Sequence, residues 1–316
     1  MQEGVIGLGI WCVDTTYKIN ILPERGKLET IIDSYQCVGG GPSNVLTNLS
    51  SLGFKSNLIA MGSMGKDSNS VFIKKHCQRN KIISKYLSSS SLIPTSHVVC
   101  MSEKQKERTF LYYPGANELL DIKHFKLSSL KKDPKILYVG YLSLLGKLDY
   151  FDGKETRLCK VLKEARKKNL INIVDLVSNN DPQFQKIIFS ALPYTDYLLL
   201  NEIEAQLLFK KSIVNAKYQL NKNLIIKLGG EGVFIRPDKN DKIETWKEDR
   251  IEAMNLFPKD TAGAGDSLLA ITSMALAAGS NIWESVFLGS LASAIQVGTV
   301  GNTVIKKKDL LRELEK

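Results

Sequence analysis

The run Asp260-Thr261-Ala262-Gly263-Ala264-Gly265-Asp266 leads straight into an apolar helix and holds residue types that could move a charged group. Gly263 and Gly265 leave the backbone uncovered, so the N–H groups of Ala262 to Gly265 can approach an anion. The positive end of the helix dipole adds to that preference. Asp266 follows at the edge of this anion hole. A carboxylate there is badly placed to bind a phosphate, because like charges repel. It is well placed to accept a proton from a hydroxyl attacking phosphorus. A glycine-rich turn that only lets a helix pack closely is the alternative reading of so short a motif.

Other polar groups fall at comparable positions. Asp14 follows the apolar run Val5 to Trp11, and Gly39-Gly40-Gly41-Pro42-Ser43-Asn44 precedes an amphipathic segment ending at Leu52-Gly53. Glycines allow the backbone close to a ligand, Pro42 and Ser43 suit a helix start, and the Asn44 amide offers both donor and acceptor to hydroxyls. Asn201-Glu202-Ile203-Glu204 reads either as oxygen chemistry for a hard dication or as a helix cap with acidic residues at its start. Lys227-Leu228-Gly229-Gly230-Glu231-Gly232 reads as a backbone-exposing loop or a tight turn before a strand. Gly4, Gly7 and Gly9 are in the wrong order for a dinucleotide fingerprint, and Gly62-Ser63-Met64-Gly65-Lys66-Asp67 lacks the Walker spacing, which leaves Lys66 as a solvated side chain.

The elements that must position these groups alternate. Apolar runs at 136–141, 171–175, 197–200 and 224–228 predict strands, with amphipathic helices near 154–169, 182–191 and 202–211 between them. That alternation implies a parallel sheet covered on both faces, with ligands outside the strand C-terminal ends. Upstream, Val5 to Trp11 and Asn57 to Met61 predict further strands, residues 15–37 predict short exposed ones, and 96–101 with 109–113 a hairpin. Segments 268–278 and 283–297 predict two helices rich in small residues.

At 316 residues and 43% hydrophobic, the composition is that of an ordinary globular chain. It lacks an apolar run of membrane-spanning length and an export signal, which points to the cytoplasm. Five cysteines without a Cys-x-x-Cys pair suit free thiols in a reducing compartment, and three separated histidines make structural zinc unsuitable. The net charge of +10 comes mostly from scattered lysines, which favours a solvated surface that steers anionic nucleotides over a nucleic-acid partner.

The Asp260–Asp266 heptapeptide is similar to the C-terminal signature of the PfkB family, the ribokinase-like carbohydrate and nucleoside kinases. Gly39, Gly40 and Asn44 with Leu52-Gly53 resemble its N-terminal signature, and Gly62–Asp67, Gly115-Ala116-Asn117, Asn201–Glu204, Lys227–Gly232 and Gly298–Asn302 resemble further segments. The resemblance implies a single α/β domain over residues 1–316: a ribokinase-like three-layer sandwich with a mostly parallel central sheet. A small β-sheet lid would be inserted as segments 12–38 and 96–114. It implies ATP-dependent transfer of the γ-phosphoryl to a hydroxyl, with Asp266 as base and Gly263, Ala264 and Gly265 in the anion hole. Asp14, Gly39, Gly40, Asn44 and Asn117 would hold the acceptor, and Lys227, Gly229, Gly230, Gly232, Thr261 and Ala262 the nucleotide. Asn201 and Glu204 would organise Mg2+ through water, with K+ left open as an assistant. Asp175-Leu176-Val177-Ser178 departs from the family's Asp-x-Asn-x-Arg, which puts the usual contacts from that strand in doubt.

A small sugar is the favoured acceptor, on the strength of Gly115-Ala116-Asn117. A nucleoside kinase and a non-catalytic ligand sensor on the same fold stay open. No membrane partner is expected. An exposed lid sheet could pair with its copy in a homodimer.

Overall fold

The computed structural model describes residues 4–104, 108–125, 127–130, 134–210, 223–237, 250–254, 263–299 and 304–315. Thr261 and Ala262 of the expected nucleotide site lie outside them, as do 300–302 of the Gly298–Asn302 segment.

Fifteen strands among the described residues form one large sheet, one small sheet and a two-stranded ribbon. The large sheet contains β1 (Gly4–Gly9), β4 (Leu58–Met64), β5 (Leu87–Ser89), β8 (Pro134–Leu142), β11 (Ile171–Leu176), β12 (Tyr197–Asn201), β13 (Asn223–Lys227), β14 (Val233–Arg236) and β15 (Arg250–Ile251). Their order is β15-β14-β13-β12-β11-β8-β1-β4-β5, parallel except at β14 and β15. The small sheet has the order β3-β2-β6-β7 from β2 (Cys12–Ile19), β3 (Ile31–Gly39), β6 (His97–Glu103) and β7 (Thr109–Tyr113). The ribbon is β9 (Phe151–Asp152) with β10 (Glu155–Thr156).

Successive side chains of a strand face opposite sides, and both sides here are apolar. Ile6, Leu8, Leu137, Val139, Val174, Leu198 and Leu200 join one buried cluster, together with Leu158, Val161, Leu162 and Ala165 of α3 (Arg157–Lys167) and Ile187 and Ile188 of α4 (Phe184–Ala191). Val5, Ile136, Tyr138, Ile173, Leu199 and Ile225 join the other, with Val45, Leu46 and Leu49 of α1 (Gly41–Ser51) and Leu268 and Leu269 of α6 (Ala264–Ala278). The result is the helix–sheet–helix sandwich expected of alternating elements. Helix α6 packs against α7 (Ile282–Val297) so closely that a side chain at Gly289 would put its first carbon 2.3 Å from Thr272 Oγ1. Helices α2 (Ser68–Arg79), α5 (Glu202–Phe209) and α8 (Lys307–Leu314) complete the outer layers. No helix among the described residues is long and apolar enough to cross a membrane.

Two expectations need correcting. Residues 15–37 are not short strands: β2 runs eight residues because it is paired on both sides, to β3 and β6, and residues 20–30 are irregular around Pro23 and Gly26. Helix α6 starts at Ala264 rather than at Leu268, since Gly263 takes φ 74 and caps it, freeing Ala264 and Gly265 for the first turn.

The Gly62–Asp67 loop has a structural task. The Asp67 carboxylate caps α2 by accepting the Ser70 N–H at 2.8 Å, and it also accepts the Thr95 N–H and hydroxyl, each at 2.6 Å. It thereby ties the loop after β4 to the entry of β6, while Lys66 is exposed. A cap of this kind contributes about 1 kcal/mol.

Candidate active site

The C-terminal ends of the parallel strands collect the polar groups, as the crossover geometry demands. Strand β1 ends at Gly9, and the chain crosses through Trp11, fully buried with its Nε1–H donating to the Met61 carbonyl at 3.1 Å. That anchor fixes where β2 begins and so where Asp14 stands. The Cys12 thiol donates to Asp14 Oδ1 at 3.2 Å. Gly39, directly opposite Cys12 on β3, lies against the other oxygen: a side chain there would put its first carbon 2.1 Å from Asp14 Oδ2. Gly40 takes φ 92 and crowds the Ile10 carbonyl, where a side chain would approach to 2.0 Å. Both glycines thus serve close approach of one strand to another, and that packing presents Asp14 at the mouth of α1.

Asn44 stands in the first turn of α1, its N–H bonded to the Gly40 carbonyl at 3.1 Å. Its side-chain Nδ2–H donates to Asp266 Oδ2 at 2.9 Å, across 222 residues of chain. The two glycine-rich helix starts therefore meet through one hydrogen bond. Gly263, Ala264, Gly265 and Asp266 form the start of α6, all half-buried, and the Ser267 N–H closes the turn onto Gly263 O at 2.9 Å.

Lys227 ends β13 and reaches beneath this helix start. A side chain at Gly265 would put its first carbon 3.4 Å from Lys227 Nζ, and the same ammonium donates to Asp175 Oδ1 at 3.5 Å. Asp175, 3% exposed at the end of β11, also accepts from the Tyr138 hydroxyl at 3.5 Å. The strand that lacks the Asn and Arg of the common motif thus supplies a counter-ion to a lysine beneath the start of α6.

The charges of this cluster are shifted by low dielectric and by each other. Burial and the neighbouring Asp175 push the Asp266 carboxyl up to about 7, against the pull of Lys227 and the Asn44 donor. Burial also raises Asp175 and Asp14, with Lys227 and the Cys12 thiol opposing. For Lys227 burial disfavours the ammonium, but Asp175, Glu204 and Asp266 together outweigh it and hold the group charged.

Asn201 and Glu204 form a reciprocal cap on α5. Glu204 Oε2 accepts the Asn201 N–H at 2.8 Å, its Oε1 accepts the Asn201 amide at 2.9 Å and the Ser178 hydroxyl at 3.2 Å, and Asn201 Oδ1 accepts the Glu204 N–H at 2.8 Å. With Glu204 2% exposed and three of its lone-pair directions taken, the pair fits a magnesium ion held through water better than one bound directly. Burial, with the charge of Asp175 adding to it, also raises the Glu204 carboxyl, against the pull of Lys227 and of the Asn201 N–H. Glu202, exposed in the first turn of α5, complements the helix dipole.

Gly229 (φ 56) and Gly230 face open space, whereas Gly232 (φ 96) packs against β15, where a side chain would come within 2.1 Å of the Ile251 carbonyl. Only the first two leave backbone open to a ligand. Asn117 is 1% exposed and its Nδ2–H donates to the Trp11 carbonyl at 3.4 Å. It braces the crossing into β2 and does not join the Asn44–Asp266 cluster.

Sequence reasoning overlooked Tyr141. It takes φ 67, a left-handed conformation that costs a non-glycine residue of order 1–3 kcal/mol and persists at functional sites. The charge of Asp266, then burial, holds its phenol well above the ordinary range, so it is a neutral donor beside the carboxylate. Its ring borders Gly41, where a side chain would come 3.3 Å from Cε1. The available signal was its place at a strand C-terminal end, next to Gly140.

Comparison with known proteins identifies the family and the fold. The pfkB family carbohydrate kinase profile matches residues 9–308. A ribokinase of Dictyostelium discoideum is 24% identical over 288 residues, covering 84% of each chain. The bifunctional protein HldE of Campylobacter jejuni subsp. doylei is 27% identical over 278 residues, 84% of this chain and 54% of that one, so the chain spans about half the length of this relative. Arabidopsis thaliana ribokinase, solved with ribose and ATP, superposes with a TM-score of 0.78 at 18% identity, covering the whole of both chains. The nucleoside kinase of Methanocaldococcus jannaschii gives 0.74 at 18% identity over 99% of this chain and 98% of that one. With a profile match over nearly its full length, the chain belongs to the pfkB family of carbohydrate kinases.

Proposed function

We propose that the protein transfers the γ-phosphoryl group of ATP to a hydroxymethyl group of a small sugar, with Asp266 as general base. The observation that carries this reading is the 2.9 Å bond from Asn44 to Asp266, which puts an acceptor-side amide and a carboxylate with a carboxyl near 7 at one helix start. A base with that affinity is suited to take a proton near neutral pH. In the reaction Asp14 and Asn44 hold the acceptor hydroxyls, Asp266 takes the proton of the attacking one, and the N–H groups at the start of α6 with Lys227 stabilise the phosphoryl oxygens. Magnesium organised by Asn201 and Glu204 through water would supply further neutralisation of phosphate charge. The small sheet, carrying Asp14, acts as a lid that excludes water and so limits hydrolysis of ATP.

A sugar acceptor is favoured by the family and by the Dictyostelium ribokinase. A nucleoside acceptor is the second reading, favoured by the likeness to the Methanocaldococcus jannaschii fold. Asn117 is buried, with its Nδ2–H on the Trp11 carbonyl and its Oδ1 without a hydrogen-bond partner, and favours neither acceptor over the other. ADP release measured across pentoses, hexoses and nucleosides, with and without magnesium, decides. Turnover on a sugar supports the first reading, turnover only on nucleosides the second, and tight ligand binding without turnover would leave a sensor.

Ile32, Tyr35, Phe110 and Leu111 expose apolar surface on the small sheet, which suits cover by a second copy of the chain, and sedimentation of the purified protein tests that homodimer. The five free thiols suit the reducing cytoplasm.

A further inference from the structure

The acceptor side assembled around Asp266 is rich in acceptors and poor in donors. An alcohol attacking phosphorus carries one proton and two lone pairs. Asp266 takes the proton and phosphorus takes one pair, so the second pair meets a partner only if a neutral donor faces it. Asp14, as a carboxylate, can only accept, and Asn44 already points an amide N–H at Asp266.

Tyr141 stands where such a donor is needed. It lies at the C-terminal end of β8 with φ 67, and its ring is seated on the first turn of α1. A side chain at Gly41 would put its first carbon 3.3 Å from Tyr141 Cε1 and 2.4 Å from the Tyr138 hydroxyl. Gly41 and Asn44 are three residues apart on α1 and share a face, so the ring sits beside the turn whose amide is bonded to Asp266.

The two tyrosines that press on Gly41 end differently. Tyr138 is fully buried and its hydroxyl donates to Asp175 at 3.5 Å. The Tyr141 hydroxyl makes no hydrogen bond among the described residues, and it is not one of the sealed polar atoms of the core. Tyr141 is half-buried, as are Asp14, Asn44 and Asp266, so all four keep surface open to a ligand. The charge of Asp266, then burial, then the charges of Asp175 and Asp14 hold the phenol well above its ordinary range, so it enters the reaction as a neutral donor.

We propose that the Tyr141 hydroxyl binds the attacking oxygen of the acceptor, donating a hydrogen bond to it while that oxygen gives its proton to Asp266. The inference rests on the reading of Asp266 as the base of phosphoryl transfer. The acceptor O–H bond breaks with its proton on Asp266, the bond from oxygen to the γ-phosphorus forms, and the bond from phosphorus to ADP breaks. Tyr141 keeps its own proton throughout. Its hydrogen bond strengthens as the acceptor proton leaves, so it acts more on the transition state than on the bound substrate.

Tyr141→Phe removes the hydroxyl and keeps the ring on Gly41. Single-turnover transfer, followed by rapid quench with whichever sugar or nucleoside the parent chain phosphorylates, should slow about tenfold to 150-fold. The acceptor KM should change by less than about threefold and the ATP KM by less than about twofold, with the melting temperature checked alongside. The acidic limb of the pH profile should stay in place, because this hydroxyl is not bonded to Asp266. The proposal is overturned if the variant transfers at the parent rate, if the loss lies wholly in the acceptor KM, or if the acidic limb moves. A silent Tyr141→Phe beside an inactive Asp266→Asn removes this inference and leaves the base standing, whereas an Asp266→Asn chain of normal turnover overturns both. A parent chain that phosphorylates no sugar or nucleoside overturns the proposed function and this inference with it.

Discussion

Gly39→Ala tests whether Asp14 is an acceptor ligand by moving only that carboxylate. The new carbon would lie 2.1 Å from Asp14 Oδ2 and 2.4 Å from its Cγ, where carbon atoms pack at about 3.5–4.0 Å. The carboxylate must therefore retreat by more than about 1 Å. Gly39 is outside the left-handed region, so alanine brings no backbone strain and the cost falls on the side chain with the freedom to rotate. As it rotates, Asp14 leaves the Cys12 thiol and the direction in which it faces the start of α1. A hydrogen bond to a charged group contributes about 1.5–3 kcal/mol, so losing one acceptor hydroxyl should raise the acceptor KM about tenfold to 150-fold. The KM for ATP should stay within twofold, because Asp14 touches none of the nucleotide-side groups. A coupled assay of ADP release, with each substrate varied in turn, measures both. An unchanged acceptor KM in a correctly folded variant would refute the assignment of Asp14.

Asn44→Ala removes a donor to the ionised form of Asp266, so its carboxyl should rise above about 7 and the acidic limb of the kcat profile should shift to higher pH, by about half a unit to one unit. A limb that stays in place would mean that this bond does not tune the base. Lys227→Met strips the anion hole of its ammonium and leaves buried Asp175 without a counter-ion. The ATP KM should rise at least about tenfold, and stability should fall by up to about 3–5 kcal/mol. Because burial already raises Asp175, that loss should be larger at pH 8, where the unpaired carboxylate must be charged, than at pH 5.5, where a proton can neutralise it; melting curves at the two pH values check the sign.

The main sheet was legible because its strands are short apolar runs separated by amphipathic helices, and the four downstream runs end within a residue of their expected places, as at Ile171–Leu176, while β4 runs three residues past Met61. Contacts across the chain were not legible. The glycines at 39 and 40 announced close approach, but only the fold reveals that they approach Asp14 and Ile10. Asn117 was expected beside the acceptor from the resemblance of Gly115-Ala116-Asn117, and no local pattern says that its Nδ2–H will reach the Trp11 carbonyl. The Asp175 strand looked deficient in sequence, yet its carboxylate finds Lys227, 52 residues on, because β11 and β13 end on the same edge. Tyr141 carries no sequence mark beyond its place at a strand end, since a tyrosine with positive φ is imposed by its surroundings and not by its own preference.

The central claim is that Asp266 takes the proton, and Asp266→Asn tests it with two readouts of opposite sign. An amide keeps the size and can still accept from Asn44, but it cannot serve as a base, so kcat should fall about 10²–10⁴-fold with ATP affinity within a few fold. The carboxyl near 7 in the fold stands against its ordinary 3.8, so its favourable contribution is complete below about pH 4 and is lost as pH rises through about 7. Relative to the parent chain, the variant should therefore gain thermal stability at pH 8 and gain less at pH 5. Turnover near the parent rate, in a variant that binds ATP normally, would contradict the account.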